Sequence, residues 1–226
     1  MTLASLSEDL LADAFSADVA HLRRVRDTGD QDLQHYSVNW NYMPLVGGSV
    51  VHTNHQPVAS PMSTNYHREV EAGLYQYGGD YFGNLVRVQE GRERWVGREG
   101  GVSWLTDFAT LGHIAMVGVL EGRASLFDLT AEDVGALAWS LLKIFDYLYD
   151  ENFVSFNFSL YVLEGAEGFT LNCRLSPRFL LSNASEASDV YYFEVSNAKS
   201  LAFFYPKVTA RELREQFAGP AEGSSR

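Results

Sequence analysis

An α+β fold, with an antiparallel sheet flanked by helices in one compact body, is predicted by three features of this sequence. Apolar residues recur at helical spacing near the start, the middle and the end of the chain, as in helices buried on one side. Between those segments lie short runs rich in Val, Tyr, Phe and Trp, joined by Gly-containing turns, which read as strands of hairpins. The 226 residues, 46% hydrophobic and 13% aromatic, are enough for one substantial core or for two small units packed as one body.

The first helix is expected from about Ser5 to Asp27, with Leu6, Leu10, Leu11, Phe15, Val19, Leu22 and Val25 on one side and Ser5 with Glu8 as a capping box. Arg23, Arg24 and Arg26 fall on its solvated face, and Thr28-Gly29-Asp30 breaks it. His35 to Tyr42 reads as a strand, with Val50 to Gln56 its partner across a Gly-Gly-Ser turn and Pro57 and Pro61 ending the extension. Helical spacing returns from Thr64 to Tyr77 until Gly78-Gly79, which puts His67 on the surface beside Arg68 and Glu69. Asn84 to Gln89 and Arg94 to Arg98 read as a hairpin about Glu90-Gly91. Two strands follow, Val102 to Phe108 and His113 to Leu120, with His113 an edge or packing residue. Thr130 with Asp133 opens an amphipathic helix through Tyr149 that turns Leu137, Leu141, Ile144, Phe145 and Leu148 to the core. Phe153 to Leu163 and Phe169 to Leu175 form a hairpin closed by Gly165 to Gly168. Tyr191 to Val195 is a further strand, Thr209 to Phe217 a capped helix, and the tail after it is expected to be disordered.

Charge narrows the classes of partner. Seventeen Lys and Arg against 29 Asp and Glu give a net charge of −12, which opposes nonspecific binding to nucleic acid or to an anionic membrane but leaves compact phosphorylated ligands allowed. The lone Cys173 rules out an internal disulfide and any multi-cysteine zinc site, and it reads as a small buried residue of a strand. No apolar run approaches membrane-spanning length and no basic segment precedes an apolar core, so a cytoplasmic protein is expected.

The chemistry concentrates between Asn41 and Gln56, in NYMPLVGGSVVHTNHQ. Glycines without Cβ atoms let backbone N–H groups approach an anion closely. In an extended segment alternate residues share a face, so His52, Asn54 and Gln56 project together while Thr53 and His55 point the other way. This run resembles the active-site segment of the galactose-1-phosphate uridylyltransferases and their relatives in the histidine-triad superfamily, where Asn, Gly-x-Ser and His-x-His-x-Gln follow in order. The resemblance assigns Asn41 to the Asn, Gly47 and Ser49 to a phosphate-facing turn that includes Gly48, His52 to the first His and Gln56 to the final Gln. Asn54 then stands where the family has its nucleophilic His. An imidazole nitrogen can attack phosphorus and leave again, whereas the delocalised lone pair of a carboxamide does neither well. The family's covalent step is therefore not expected here, and His55 would replace the nucleophile only if a β-bulge re-aimed it.

A second strand carries the same likeness. FTLNCRLSPR, from Phe169 to Arg178, resembles the family's His-x-His-x-Glu-x-x-Pro-Arg strand, with Thr170, Asn172 and Arg174 in place of the two His and the Glu, and with Pro177 and Arg178 retained. The resemblance implies a histidine-triad-like antiparallel sheet built from two pseudo-repeats: residues 1–100 as a degenerate half carrying the motif, 101–218 as the second half, and 219–226 as a tail. Some members hold zinc partly through a Cys pair; this chain has none, so no structural zinc and no cofactor are expected.

What the resemblance implies first is a protein that binds a nucleotide, a nucleotide-sugar or a related phosphorylated small molecule without the covalent intermediate. Ser49 and the backbone of Gly47 to Ser49 would hold phosphate, Gln56 would orient it, Asn41 and Asn172 would line the pocket, and Arg178 serves equally as ligand contact or ion-pair partner. A second reading is an enzyme of altered chemistry (hydrolysis, elimination or rearrangement) with His52, or in reserve His55, as base. The third is a non-catalytic interaction protein in which Tyr75, Tyr77, Tyr81 and Phe82 form a partner interface or a homodimer contact.

Overall fold

The computed structural model describes residues 3–29, 33–46, 48, 54–110, 112–153, 155–182, 187–188, 202 and 204–219. Helix α1 (Glu8–Asp27) starts one turn later than expected, because the Ser7 hydroxyl rather than that of Ser5 accepts the free Leu10 N–H, at 3.3 Å. Strand β1 (His35–Tyr42) alternates half-buried polar with buried aromatic or apolar residues along its whole length. Its partner β2 (His55–Ser60) runs through Pro57 instead of stopping there. Proline is tolerated because, among the described residues, β2 is an edge strand paired with β1 alone. Of the strand expected over Val50 to Gln56, residues 50–53, with His52, lie outside the described residues while His55 and Gln56 begin β2; Gly47, Ser49, Tyr191 to Val195 and the tail after residue 219 lie outside them too.

Helix α2 (Asn65–Tyr77) is capped by Thr64 and ended by left-handed Gly78, as its sequence predicts. The next segment differs from the expected hairpin: it is a second helix, α3 (Tyr81–Gln89), and only then strand β3 (Trp95–Glu99). A short apolar run such as Leu85 to Val88 fits either state. The Asp80 carboxylate decides it by accepting the Gly83 N–H at 2.9 Å, and Phe82 and Val86, one turn apart, then bury together.

Strands β4 (Val102–Thr106) and β5 (Met116–Leu120) precede helix α4 (Ala131–Asp150), which Thr130 and Asp133 open as expected, closing a capping box. Strands β6 (Ser155–Leu163) and β7 (Asn172–Arg178) form the predicted hairpin, a short pair β8 (Leu180–Ser182) and β9 (Ala187–Ser188) follows, and helix α5 (Pro206–Ala218) ends the described chain. Helix α5 begins at Pro206 after Tyr205, with no side-chain cap, while Thr209, the expected cap, is buried inside it.

Seven strands make one antiparallel sheet in the order β2-β1-β6-β7-β5-β4-β3. Helices α1, α4 and α5 cover one face, where Trp40, Phe145 and Phe156 meet with ring centroids 4.9 to 5.6 Å apart. Trp104 Nε1 donates to Ser140 Oγ at 2.8 Å, so α4 is fixed to β4 by a satisfied buried polar contact as well as by apolar packing. The β2-β1-β6-β7 half of the sheet presents alternate polar residues away from the core, with α2 packed on β6, while α3 packs on β4 and β5. Among the described residues no helix is long and apolar enough to cross a membrane.

Candidate functional site

Strand pairing assembles the polar face from residues far apart in sequence. Gln56 lies opposite Asn39, Asn39 opposite Ser159, and Ser159 opposite Arg174, so one row of polar side chains crosses four strands. A neighbouring row places Asn41, Asn157 and Ser176 side by side. Ser159 Oγ donates to Asn39 Oδ1 at 2.8 Å, and Asn157 Nδ2 donates to Asn41 Oδ1 at 2.8 Å and to the Val46 carbonyl at 3.3 Å. The Asn41–Asn157 pair therefore fastens the turn that leads into the Gly-rich segment.

That turn uses its glycine structurally. Met43 is left-handed, with φ 73°, and Gly48 N–H donates back to the Met43 carbonyl at 3.2 Å. A Cβ on Gly48 would stand 2.7 Å from the Met43 oxygen and 3.1 Å from that of Asn41. Its open side is taken by the chain's own carbonyls rather than turned to a ligand, which corrects the expectation for Gly48.

Two further expectations change. No bulge re-aims His55, since the β1–β2 register runs without a break from His35 opposite Ser60 to Trp40 opposite His55. The imidazole lies on the helical face between Phe15 and Trp40, each 4.8 Å away by ring centroid, with Nδ1 2.7 Å from Asp18 Oδ2. Facing a carboxylate, Nδ1 is the donor. His55 ties β2 to α1 and does not reach the face of Gln56. Asn172, expected as a ligand contact, is fully buried with both amide atoms engaged: Oδ1 accepts from Tyr66 OH at 2.9 Å and Nδ2 donates to the Thr170 carbonyl at 3.0 Å. Arg178 ends β7 opposite Ser155 and is engaged within the fold. Asn54 is half-buried immediately before β2.

Tyr66 closes the β7 side of the polar face. Its ring lies 4.0 Å from that of Tyr161 and 5.1 Å from the Arg174 guanidinium, which pairs with Asp107 at 2.8 Å. Burial raises the Tyr66 pKa far above that of a free phenol, against the opposing pull of Arg174, so the hydroxyl stays a donor to Asn172. Burial disfavours the Arg174 charge, but Asp107 and the two phenols beside it outweigh that and raise its pKa. Between α2 and α3 a groove of about 630 Å³ opens, lined by Tyr66, Leu74, Tyr77, Tyr81 and Arg174. Tyr75 is 89% exposed, whereas Phe82, grouped with it in the interaction reading, belongs to the core.

His67 is buried rather than on the surface, with its ring 5.6 Å from that of His35 and Nδ1 2.8 Å from the Thr64 hydroxyl. Burial first, and His35 second, lower its pKa. The fold thus holds fewer protons than the unfolded chain, whose imidazole titrates near about 6.5. Stability is complete above that pH and falls as pH drops through it. His67→Gln is expected to flatten this slope, measured as the urea midpoint at pH 7.5 and 5.5; equal slopes in both proteins would refute the assignment. Among the described residues no group of three or more His, Cys, Asp or Glu is placed to hold a metal ion.

The polar row was written in the sequence as period-two polar residues, Ser37, Asn39 and Asn41 in β1 and Asn157 and Ser159 in β6, alternating with aromatic and apolar ones. That alternation is the sequence signal for Asn39, Asn157 and Ser159, which the histidine-centred motif does not include.

No protein-family model matches the chain. An uncharacterized protein of Archaeoglobus fulgidus is 26% identical over 208 residues, which are 90% of this chain and 61% of that protein, so the chain spans about three fifths of the length of this curated relative. Among solved structures, a uridylyltransferase mutant superposes with a TM-score of 0.78 at 15% identity, over 95% of this chain and 72% of that one. An ADP-glucose phosphorylase from Arabidopsis thaliana with bound ADP-glucose superposes with a TM-score of 0.77 at 14% identity, over 95% and 69%. At these identities the likeness is one of fold: the chain has the α+β, histidine-triad-like sheet that the resemblance implied.

Proposed function

We propose that this chain binds a nucleotide, a nucleotide-sugar or a related phosphorylated small molecule on the polar face of its sheet, without forming a histidine–nucleotide intermediate. The observation that carries this reading is the row Gln56, Asn39, Ser159 and Arg174 across β2, β1, β6 and β7. Carboxamides and a hydroxyl supply donors and acceptors without a titrating group, which suits holding a polar ligand and does not suit nucleophilic attack. Two further facts support it. The motif's His55 is turned into the helical face against Asp18, and the residue that the resemblance aligns with the family's nucleophile is Asn54. A structural neighbour of the same fold was solved with ADP-glucose bound. Ser49, Gly47 and His52 are proposed to complete the phosphate end of the site.

Thermal stabilisation of the purified chain by nucleoside diphosphates and nucleotide-sugars, with intact-mass analysis of the same mixtures, tests both halves. A ligand at a hundred times its dissociation constant adds about 2.7 kcal/mol. We expect a shift with one nucleotide class, no covalent adduct, and at least about tenfold weaker binding in Gln56→Ala, equivalent to about 1.4 kcal/mol. No shift with any member of the panel would refute binding, and a nucleotidyl adduct would refute the non-covalent mechanism.

A further inference from the structure

At the β3 edge of the sheet, remote from β2 in strand order, the charge balance of the protein reverses. The chain carries −12 overall, yet five of its 17 Lys and Arg line one open groove of about 910 Å³: Arg92, Arg94, Lys207, Arg211 and Arg214. Glu93 is the single carboxylate among the lining residues. Among the described residues none of the five cations makes an ion pair.

The grouping is built by the fold. Lys207, Arg211 and Arg214 share one face of α5 by helical spacing. Arg214 fixes the opposite wall, donating from Nε to the Trp95 carbonyl at 2.7 Å and from Nη2 to the carbonyls of Glu93 at 3.1 Å and Arg92 at 3.3 Å. Those carbonyls orient the guanidinium but do not neutralise it. Like charges one turn apart destabilise a helix, and Lys207 stands in the first turn of α5, at the positive end of the helix dipole, where no acidic residue offsets it. A cluster that is unfavourable for the empty fold becomes favourable once an anion enters it. Phe108, 79% exposed, lies beside it with its ring 5.8 Å from the Arg94 guanidinium and offers a flat apolar surface.

We propose that this groove binds the di- or triphosphate chain of a small molecule, at a site separate from the polar face. Four of the five cations are Arg, whose planar fork matches phosphate oxygens two at a time. The volume is that of a small-ligand pocket, and the local excess of four positive charges matches a triphosphate better than a single phosphate. The chemistry is common to inorganic tripolyphosphate and to a nucleoside triphosphate, and Phe108 separates the two sources.

Calorimetry on the intact chain, with inorganic tripolyphosphate and with ATP at low and at elevated salt, tests this. Both probes are expected to bind, more weakly as salt screens the groove, and the exposed double reversal Lys207→Glu with Arg211→Glu is expected to lower affinity for tripolyphosphate at least about tenfold. Gln56→Ala is expected to leave tripolyphosphate binding unchanged, so failure of this site and failure of the polar face are read separately. Phe108→Ala weakening ATP alone identifies a nucleotide as the natural source; indifference of both probes to it identifies inorganic phosphate chains. Absence of tripolyphosphate binding at millimolar concentration in folded protein would overturn the proposal. So would binding indifferent to the double reversal in a variant whose thermal midpoint is unchanged, or tighter binding of an octaglutamate peptide.

Discussion

Replacing His55 by Leu is expected to destabilise the protein by about 3 kcal/mol, the cost of leaving a buried carboxyl group without its hydrogen-bond partner. The side chains of His55 and Asp18 are only 6% and 10% exposed, and Nδ1 sits 2.7 Å from the carboxylate. Leu fills the space between Phe15 and Trp40 but donates nothing, so the buried Asp18 side chain loses the hydrogen bond from Nδ1. The converse change is milder: in Asp18→Asn the amide oxygen still accepts from Nδ1, and a loss of about 1 kcal/mol is expected. For a chain of this size the first change lowers the thermal midpoint by roughly 10 °C. Denaturant unfolding of both variants decides the matter. A His55→Leu loss no larger than that of Asp18→Asn would show that the pair does not tether β2 to α1. Because His55 adjoins Gln56, the ligand binding proposed for the polar face is expected to weaken together with the lost stability.

The second large effect is expected at Gly168, where the β6–β7 connection touches the α2–α3 turn. Its φ is 73°, and a Cβ there would lie 2.5 Å from the Gly79 carbonyl oxygen and 2.7 Å from its carbon. Both obstacles are backbone, so Gly168→Ala must part the two loops as well as bear the left-handed strain of about 1–2 kcal/mol. A total of about 3 kcal/mol is expected. Gly165 supplies the control: its φ is also 73° but nothing lies within 4 Å of its Cβ position, so Gly165→Ala is expected to cost the left-handed strain alone. Equal losses at the two glycines would mean that close approach of the loops is not what Gly168 serves. Parting the loops also displaces Asp80, which caps α3 and accepts from the Thr170 hydroxyl at 2.8 Å, so faster hydrogen exchange at the start of α3 is expected in Gly168→Ala and not in Gly165→Ala.

These two glycines and the two residues of the buried pair differ in how far the sequence announces them. Both glycines were legible as turn residues closing a hairpin, since that depends on neighbours within a few positions. Nothing local distinguishes Gly168 from Gly165, because the obstacle at Gly168 is the backbone of Gly79, far away in the chain. The same limit governed His55. Strand parity placed it opposite to the face of Gln56, while its partner Asp18 and its cage of Phe15 and Trp40 came from other elements.

By itself the sequence determined the antiparallel α+β architecture, the limits of β1 and α2, the opening of α4 by Thr130 and Asp133, the β6–β7 hairpin and the two-faced alternation from which the polar row is built. Each follows from interactions that close within one turn or one strand pair: caps, periodicity and left-handed glycines. Only the tertiary structure decided that residues 81–89 are helix and not strand, that His67 and Asn172 are buried and engaged, that Gly48 is occupied by its own chain, and that Arg92 and Arg94 face Lys207 and Arg211 across one groove. In each case the deciding partner lies on another element, and burial and electrostatics act on distance in space, which the order of residues along the chain does not record.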